Sequence, residues 1–234
     1  MPSTKPGASP VDAVAGRSRL GPQVASIYDL KPAFQGLLRP LTRALARAGV
    51  TANAVTVAAI VLSLAVGGAI AWTRGGRATL LLLPAALFVR MALNAIDGML
   101  AREHGQKSRL GALINELGDV VSDAALYLPL ALVPGFSAPL AAACVILAGL
   151  SELAGVLGQT IGASRRYDGP MGKSDRAFVF GLMTLLAGLG IGPGRWVGWA
   201  QALILALLGV TVWNRSARAL GEARAKDGAG EKER

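Results

Sequence analysis

Between residues 53 and 214 the apolar residues gather into six runs, at about 53–73, 78–100, 110–132, 137–162, 176–192 and 196–214. Short polar or glycine-rich stretches separate them. Each run approaches the roughly 20 residues that carry a helix across a bilayer core, so the pattern predicts six transmembrane helices in one all-α integral membrane domain. Ahead of the first run, residues 28–48 read differently. Phe34, Leu37, Leu38, Leu41 and Leu45 recur at helical spacing with Lys31, Arg39, Arg43 and Arg47 among them. A basic amphipathic helix in that position predicts an interfacial element lying on the membrane. Residues 1–27 are rich in Pro, Gly, Ser and Ala and lack a compact apolar stretch, which predicts a disordered leader and not a cleaved signal peptide. Residues 215–234 form a polar tail that needs no fold of its own. The expected organisation is therefore a leader (1–27), a membrane domain (28–214) and a tail (215–234).

Composition supports that reading. Of 234 residues, 53% are hydrophobic and only 16% charged, against about 25% in a typical soluble domain, and the mean hydropathy is +0.48. The net charge of +10 invites a nucleic-acid partner, but aromatics make up 5% of the chain and are not interleaved with the basic residues. Membrane lipids and phosphate groups at their surface are the better partners, and nucleic acid is set aside. The basic residues also set the orientation. Twenty Lys and Arg fall in the N-terminal segment, the second and fourth loops and the tail, against three (Arg74, Arg77, Arg195) on the other side. The positive-inside rule then places both termini, and the loops beside them, in the cytoplasm. The single cysteine, Cys144, excludes an intramolecular disulfide.

Charged residues inside the runs point to the chemistry. Each costs about 2.5–3.5 kcal/mol near a helix centre on insertion scales, so such residues line cavities or pair with one another. Arg90 and Asp97 lie in the second run, Glu116, Asp119 and Asp123 in the third, and Glu152 in the fourth. At about 100° per residue, Arg90, Asn94, Asp97 and Ala101 share an arc of about 60°, and Asn115, Glu116, Asp119 and Asp123 one of about 100°. Two consecutive antiparallel helices thus each carry a polar stripe, both toward their cytoplasmic ends. Facing each other, the stripes make an oxygen-rich cleft suited to a hard cation, Mg²⁺ or Mn²⁺, together with a phosphate-bearing ligand. Interhelical hydrogen bonding explains an isolated Asn or Asp, and for Glu152 it serves as well as a functional role. It suits three acids on one face poorly, because like charges repel.

The segment itself reads Asn94-Ala-Ile-Asp97-Gly98-Met-Leu-Ala101-Arg102, then eight residues, Gly111, three residues, Asn115, three residues and Asp119. This resembles the signature of the CDP-alcohol phosphotransferases, D-x2-D-G-x2-A-R-x8-G-x3-D-x3-D. Every spacing matches, as do six of its eight fixed positions; Asn94 and Asn115 stand where the family has aspartate. Gly49-Val-Thr-Ala-Asn53-Ala-Val-Thr56 is similar to that family's entry to its first span, and Gly172-Lys173 to its basic phosphate-contacting turn.

The resemblance implies a reaction in which a substituted phosphate passes from a CDP-linked lipid, CDP-diacylglycerol foremost, to a small alcohol or polyol-phosphate acceptor with release of CMP, in phospholipid biosynthesis at a bacterial inner or plasma membrane. It implies metal coordination at Asn94, Asp97, Asn115 and Asp119, with Asp119 as base. Gly98, Ala101, Arg102, Gly111, Asn53 and Thr56 are implied at the nucleotide and its phosphates. The two asparagines remove two negative charges, which Asp123 and Glu116, on nearly the same face, are placed to restore. Arg165, Arg166, Lys173 and Arg176 in the fourth loop offer charge to a phosphorylated acceptor, although cytoplasmic loops are basic in any case. Homodimerisation is a family expectation, and Gly158 and Gly162 permit close helix contact. Three alternatives stay open: a degenerate site that binds nucleotide lipid without turnover, an intramembrane prenyltransferase, for which Asp119-Val-Val-Ser-Asp123 imitates an acidic motif, and a lipid-binding or transport protein.

Overall fold

The computed structural model describes residues 31–232, and the leader expected over residues 1–27 lies outside them. Seven α-helices make up the described chain: α1 (Lys31–Arg47), α2 (Ala52–Thr73), α3 (Arg77–Glu103), α4 (Arg109–Tyr127), α5 (Ala138–Leu157), α6 (Lys173–Gly188) and α7 (Arg195–Lys232). Short 3₁₀ turns, Leu128–Leu132 and Gly158–Ile161, extend α4 and α5. No strand occurs among the described residues.

Local chemistry sets the helix ends. The Thr51 hydroxyl accepts from the Ala54 amide and starts α2, and the Ser108 hydroxyl accepts from the Gly111 amide and starts α4. The Asp175 carboxylate accepts from the Gly172 amide and starts α6. At the α2–α3 turn the chain reverses through Arg74 and Gly75, both left-handed, a conformation that glycine adopts at no steric cost.

α2, α3, α5 with its 3₁₀ extension, and α7 are long and apolar enough to cross a membrane. α4 is interrupted by Arg109, Glu116, Asp119 and Asp123, and α6 has only 16 residues. α2 packs on α3 and α4, α3 on α6, and α5 on α7. Val66, Ile70, Leu83, Leu87, Leu126, Leu130 and Met183 fill the core between them, with Tyr127 stacked on Phe180 at 4.2 Å. Val61, Leu64, Phe88, Leu117, Leu203 and Trp213 remain exposed on the outer faces.

α1 falls where the amphipathic pattern predicts a helix. Leu38 and Leu45 pack toward the small cluster of Ala52, Val55, Ile96, Met99 and Leu100, while Leu37 and Leu41 stay on the surface. The chain beyond residue 214 differs from expectation, because α7 continues without a break into the predicted tail as far as Lys232. Its Ala, Glu, Arg and Lys residues are good helix formers, and the helix is tied to the preceding loop. Arg218 pairs with Asp168, Glu222 accepts from the Ser164 amide and hydroxyl, and Lys226 donates to the Gly162 carbonyl.

α2 and α4 approach each other closely through glycine. A methyl group on Gly67 would collide with the Ala125 carbonyl oxygen, and one on Gly118 would sit 2.7 Å from Ile60. Gly68, one residue along, faces open space. Gly67→Ala is therefore expected to destabilise the fold by about 1–3 kcal/mol through overpacking, and Gly68→Ala to leave stability unchanged or slightly raised. Thermal unfolding of the two variants in detergent checks this; equal effects would contradict the close α2–α4 contact.

Candidate active site

The two polar stripes face each other across a cleft of about 430 Å³ at one end of the bundle. α2 contributes Asn53 and Thr56, α3 contributes Asn94, Asp97, Gly98, Ala101 and Arg102, and α4 contributes Gly111, Asn115 and Glu116. Gln106, Lys107 and Ser108, from the loop between α3 and α4, close the mouth. Gln106 fastens that loop to the start of α2, accepting from the Ala52 amide at 2.6 Å and donating to the Val50 carbonyl at 3.3 Å. Small residues keep the wall open. A Cβ on Gly98 would lie 2.9 Å from the Arg102 guanidinium, and one on Gly111 would lie 2.6 Å from the Asn53 amide oxygen.

Two buried carboxylates stand at the cleft and are held differently. Asp97 accepts from the Thr56 hydroxyl at 2.8 Å and from the Asn115 amide nitrogen at 3.4 Å, and has no basic partner among the described residues. Asp119 accepts from the Asn94 amide nitrogen at 3.2 Å and the Arg90 guanidinium at 3.3 Å, and pairs with the Lys173 ammonium. Each asparagine of the motif therefore donates to one of its aspartates.

Behind Asp119 the remaining charges form a chain of ion pairs. Asp123 lies between Arg90 and Arg176, each at 2.8 Å. Arg176, fully enclosed, also reaches Glu152 at 2.9 Å. Glu152 further accepts Arg215 at 3.3 Å and approaches Arg165 at 3.7 Å, and Arg165 pairs with Glu116. Four carboxylates (Glu116, Asp119, Asp123, Glu152) thus meet five basic groups (Arg90, Arg165, Lys173, Arg176, Arg215), and Asp97 stands outside the pairs.

The sequence-predicted residues consequently divide into two groups. Asn53, Thr56, Asn94, Asp97, Gly98, Ala101, Arg102, Gly111, Asn115 and Glu116 line the cleft, and Asp119 abuts it through Asn94. Asp123 sits deeper, between two guanidinium groups. Of the four basic loop candidates, Lys173 and Arg165 reach acids of the α4 stripe, Arg176 is sealed in the ion-pair chain, and Arg166 turns to Asp168 and Glu222. Arg90, Gln106, Lys107 and Arg215 go beyond the predicted set. Arg90 was legible as a member of the α3 stripe. Arg215 and Gln106 had no local signal, since each acts on chain more than 50 residues away.

No group of three or more His, Cys, Asp or Glu side chains among the described residues is arranged to hold a metal. The donor set is mixed: two carboxylates, Asp97 and Asp119, with two amides, Asn94 and Asn115. Neither amide oxygen accepts a hydrogen bond among the described residues, so both are free to meet a cation. Amide and carboxylate oxygens are the donors that hard divalent cations prefer, and the donor chemistry fits Mg²⁺ or Mn²⁺. Arg102 and Lys107 also line the cleft, are exposed, and take part in no ion pair among the described residues.

Residues 49–213 match the family profile of CDP-alcohol phosphatidyltransferase. The chain is 48% identical over 178 residues to the inner membrane protein YnbA of Escherichia coli, covering 76% of this chain and 87% of that one. It is 30% identical over 190 residues to the phosphatidylinositol phosphate synthase of Mycobacterium marinum, covering 77% and 76%. Among solved structures, the Mycobacterium tuberculosis phosphatidylinositol phosphate synthase in complex with manganese and citrate superposes with a TM-score of 0.65 at 19% identity, covering 77% of this chain and 88% of that one. The same enzyme with CDP-DAG bound superposes with a TM-score of 0.64, covering 79% and 92%. At such identity the likeness is one of fold.

The ion-pair chain makes a stability prediction. Glu152→Leu leaves three guanidinium groups short of a carboxylate and is expected to destabilise the fold by about 3–5 kcal/mol. Arg39→Ala breaks the exposed pair with Glu103 and is expected to leave the unfolding temperature unchanged, because solvent screens such pairs. Thermal unfolding in detergent distinguishes them.

Proposed function

We propose that this chain, which belongs to the CDP-alcohol phosphatidyltransferase family, transfers a phosphatidyl group from CDP-diacylglycerol to the hydroxyl of a small alcohol or polyol phosphate, releasing CMP. The observation that carries this reading is a glycine-walled cleft that Asp97 lines and Asp119 abuts, each bound by an asparagine of the facing helix, with Arg102 and Lys107, unpaired among the described residues, at its mouth. The CDP-DAG bound to the Mycobacterium tuberculosis enzyme, which shares the fold, supports the choice of donor. The topology we propose has six spans, α2 to α7, with α1 on the membrane surface and both termini in the cytoplasm of a bacterial inner membrane.

A divalent cation held by Asp97, Asn94, Asn115 and Asp119 would supply Lewis-acid polarisation of the diphosphate. The chain's own groups do the rest. Asn53, Thr56, Gly98, Ala101 and Gly111 shape the wall against which the nucleotide lies, and Arg102 and Lys107 meet its phosphates. The acceptor oxygen attacks the lipid-bearing phosphorus, its proton passes to Asp119, and the bond to the CMP phosphate breaks. Lys173 and Arg90 hold Asp119 in place for that transfer. Arg165, beside Glu116, is the loop cation best placed at the acceptor's side, while Arg166 and Arg176 fix the loop and α6.

One observation favours a second reading, nucleotide-lipid binding without turnover: Asp119 is already held by two basic groups and an amide. The purified full chain, incubated with cytidine-labelled CDP-diacylglycerol, Mg²⁺ and a panel of acceptors, decides between the two. Transfer predicts CMP release that stops on adding EDTA and falls about 10²–10⁴-fold in Asp119→Asn, the range for loss of a general base. Asp97→Asn is expected to lower it by a comparable factor. Release that occurs only after Asn94→Asp and Asn115→Asp are combined would establish the second reading, and release of pyrophosphate from a prenyl diphosphate would overturn both.

A further inference from the structure

We infer that the cleft takes one divalent cation, bound together with the donor's diphosphate, and that Lys173 and Arg90 occupy the electrostatic role of a second cation at Asp119. This rests on the phosphatidyl-transfer reading and specifies the ionic content of that same site. Four carboxylates at the positions of Asn94, Asp97, Asn115 and Asp119 would suit a pair of cations clamping the attacking and leaving oxygens. Asparagine keeps an oxygen donor at two of the four but removes the charge. The fold then treats the two surviving acids unequally. Asp119 is claimed by the Lys173 ammonium, the Arg90 guanidinium and the Asn94 amide. Asp97, equally buried, meets neutral donors, Thr56 and Asn115 among them, and no basic group among the described residues. One carboxylate is compensated by the protein, and one is left for an incoming cation.

The charge count over the whole site agrees. The four paired carboxylates meet five basic groups, and Asp97 supplies the fifth negative charge, so the site as a whole is neutral before any ligand arrives. A diphosphate diester brings one ionised oxygen on each phosphorus, which a single divalent cation cancels. A second cation would leave two positive charges without partners among buried groups, an arrangement that proteins avoid. Arg102 and Lys107 reach the phosphates from the exposed mouth, where water and salt screen their charge, so they stand outside this count of buried charge. Neutrality before binding also means that cation and nucleotide lipid assist each other: either alone brings unbalanced charge into the site, and both together do not. Such coupling is reciprocal.

The test is a count of bound Mn²⁺ on the full chain in detergent, by equilibrium dialysis and electron paramagnetic resonance, with and without CDP-diacylglycerol and with no acceptor present. The expected result is one Mn²⁺ per chain with the lipid, and binding weaker by at least about tenfold without it, within the usual range of coupling between sites. Asn94→Asp combined with Asn115→Asp should bind two, with spin coupling between the ions in the resonance spectrum. Lys173→Met, which uncovers Asp119 without adding an acid, should also admit a second ion. Two ions on the native chain would overturn the inference while leaving phosphatidyl transfer to stand on CMP release. No bound ion in the presence of the lipid would overturn the inference and the metal-assisted reading with it.

Discussion

Asp123 and Glu152 lie on helices whose outer faces are leucine, valine and isoleucine, and the fold answers them with arginine drawn from elsewhere in the chain. An unpaired charge in such surroundings is penalised by several kcal/mol, about 3–5 when one partner of a buried pair is removed. Arg176 meets that demand from α6, wholly enclosed and shared between the two acids. Arg90 meets it from α3 and Arg215 from α7. The need to match buried charge thus ties α3, α4, α5, α6 and α7 into one arrangement at the same end of the bundle, on top of the apolar packing that holds the other end. Beside this arrangement, the loop from Gly162 to Gly172 is held by Arg215, Arg218, Glu222 and Lys226 of α7.

That chain of pairs is the floor on which the cleft stands. Asp119 belongs to both, touching Arg90 below and Asn94 at the cleft. Asp97 belongs to the cleft alone. In the mechanism we propose, the division gives the two motif aspartates different work. One is held rigidly by protein cations, as a group that accepts a proton in a fixed place should be. The other is left with neutral hydrogen-bond donors and is open to a cation arriving with substrate. The asparagines keep this division, since each bridges to an aspartate without adding repulsion between acids.

Much of this was legible in the chain. The apolar runs located α2 to α6 and the start of α7 to within a few residues, because a helix that is apolar over most of its length has little freedom in where it begins and ends. The angular stripes brought Asn94, Asp97, Asn115 and Asp119 together, since 3.6-residue periodicity alone decides which side chains share a face. Partner choice between distant helices was not legible. Nothing in periodicity distinguishes Asp119, at the cleft, from Asp123, four residues further along the same face and enclosed by guanidinium groups. Arg215 read as the first residue of a polar tail because its partners, Glu152 and the Ser151 and Asp168 carbonyls, are 47 or more residues away. The helical continuation of α7 was hidden for the same reason: its polar residues are satisfied by a loop that sequence places at a distance.

Parity of buried charge, and not any single pair, holds this end of the molecule together. A double-mutant cycle on Arg176 and Asp123, read by thermal unfolding of the full chain in detergent, tests it most directly. Arg176→Leu alone is expected to lower the unfolding temperature sharply, because two carboxylates lose their shared partner. Arg176→Leu combined with Asp123→Leu removes one charge of each sign, and is expected to recover most of that loss. A double variant whose loss equals the sum of the two single losses would contradict the account.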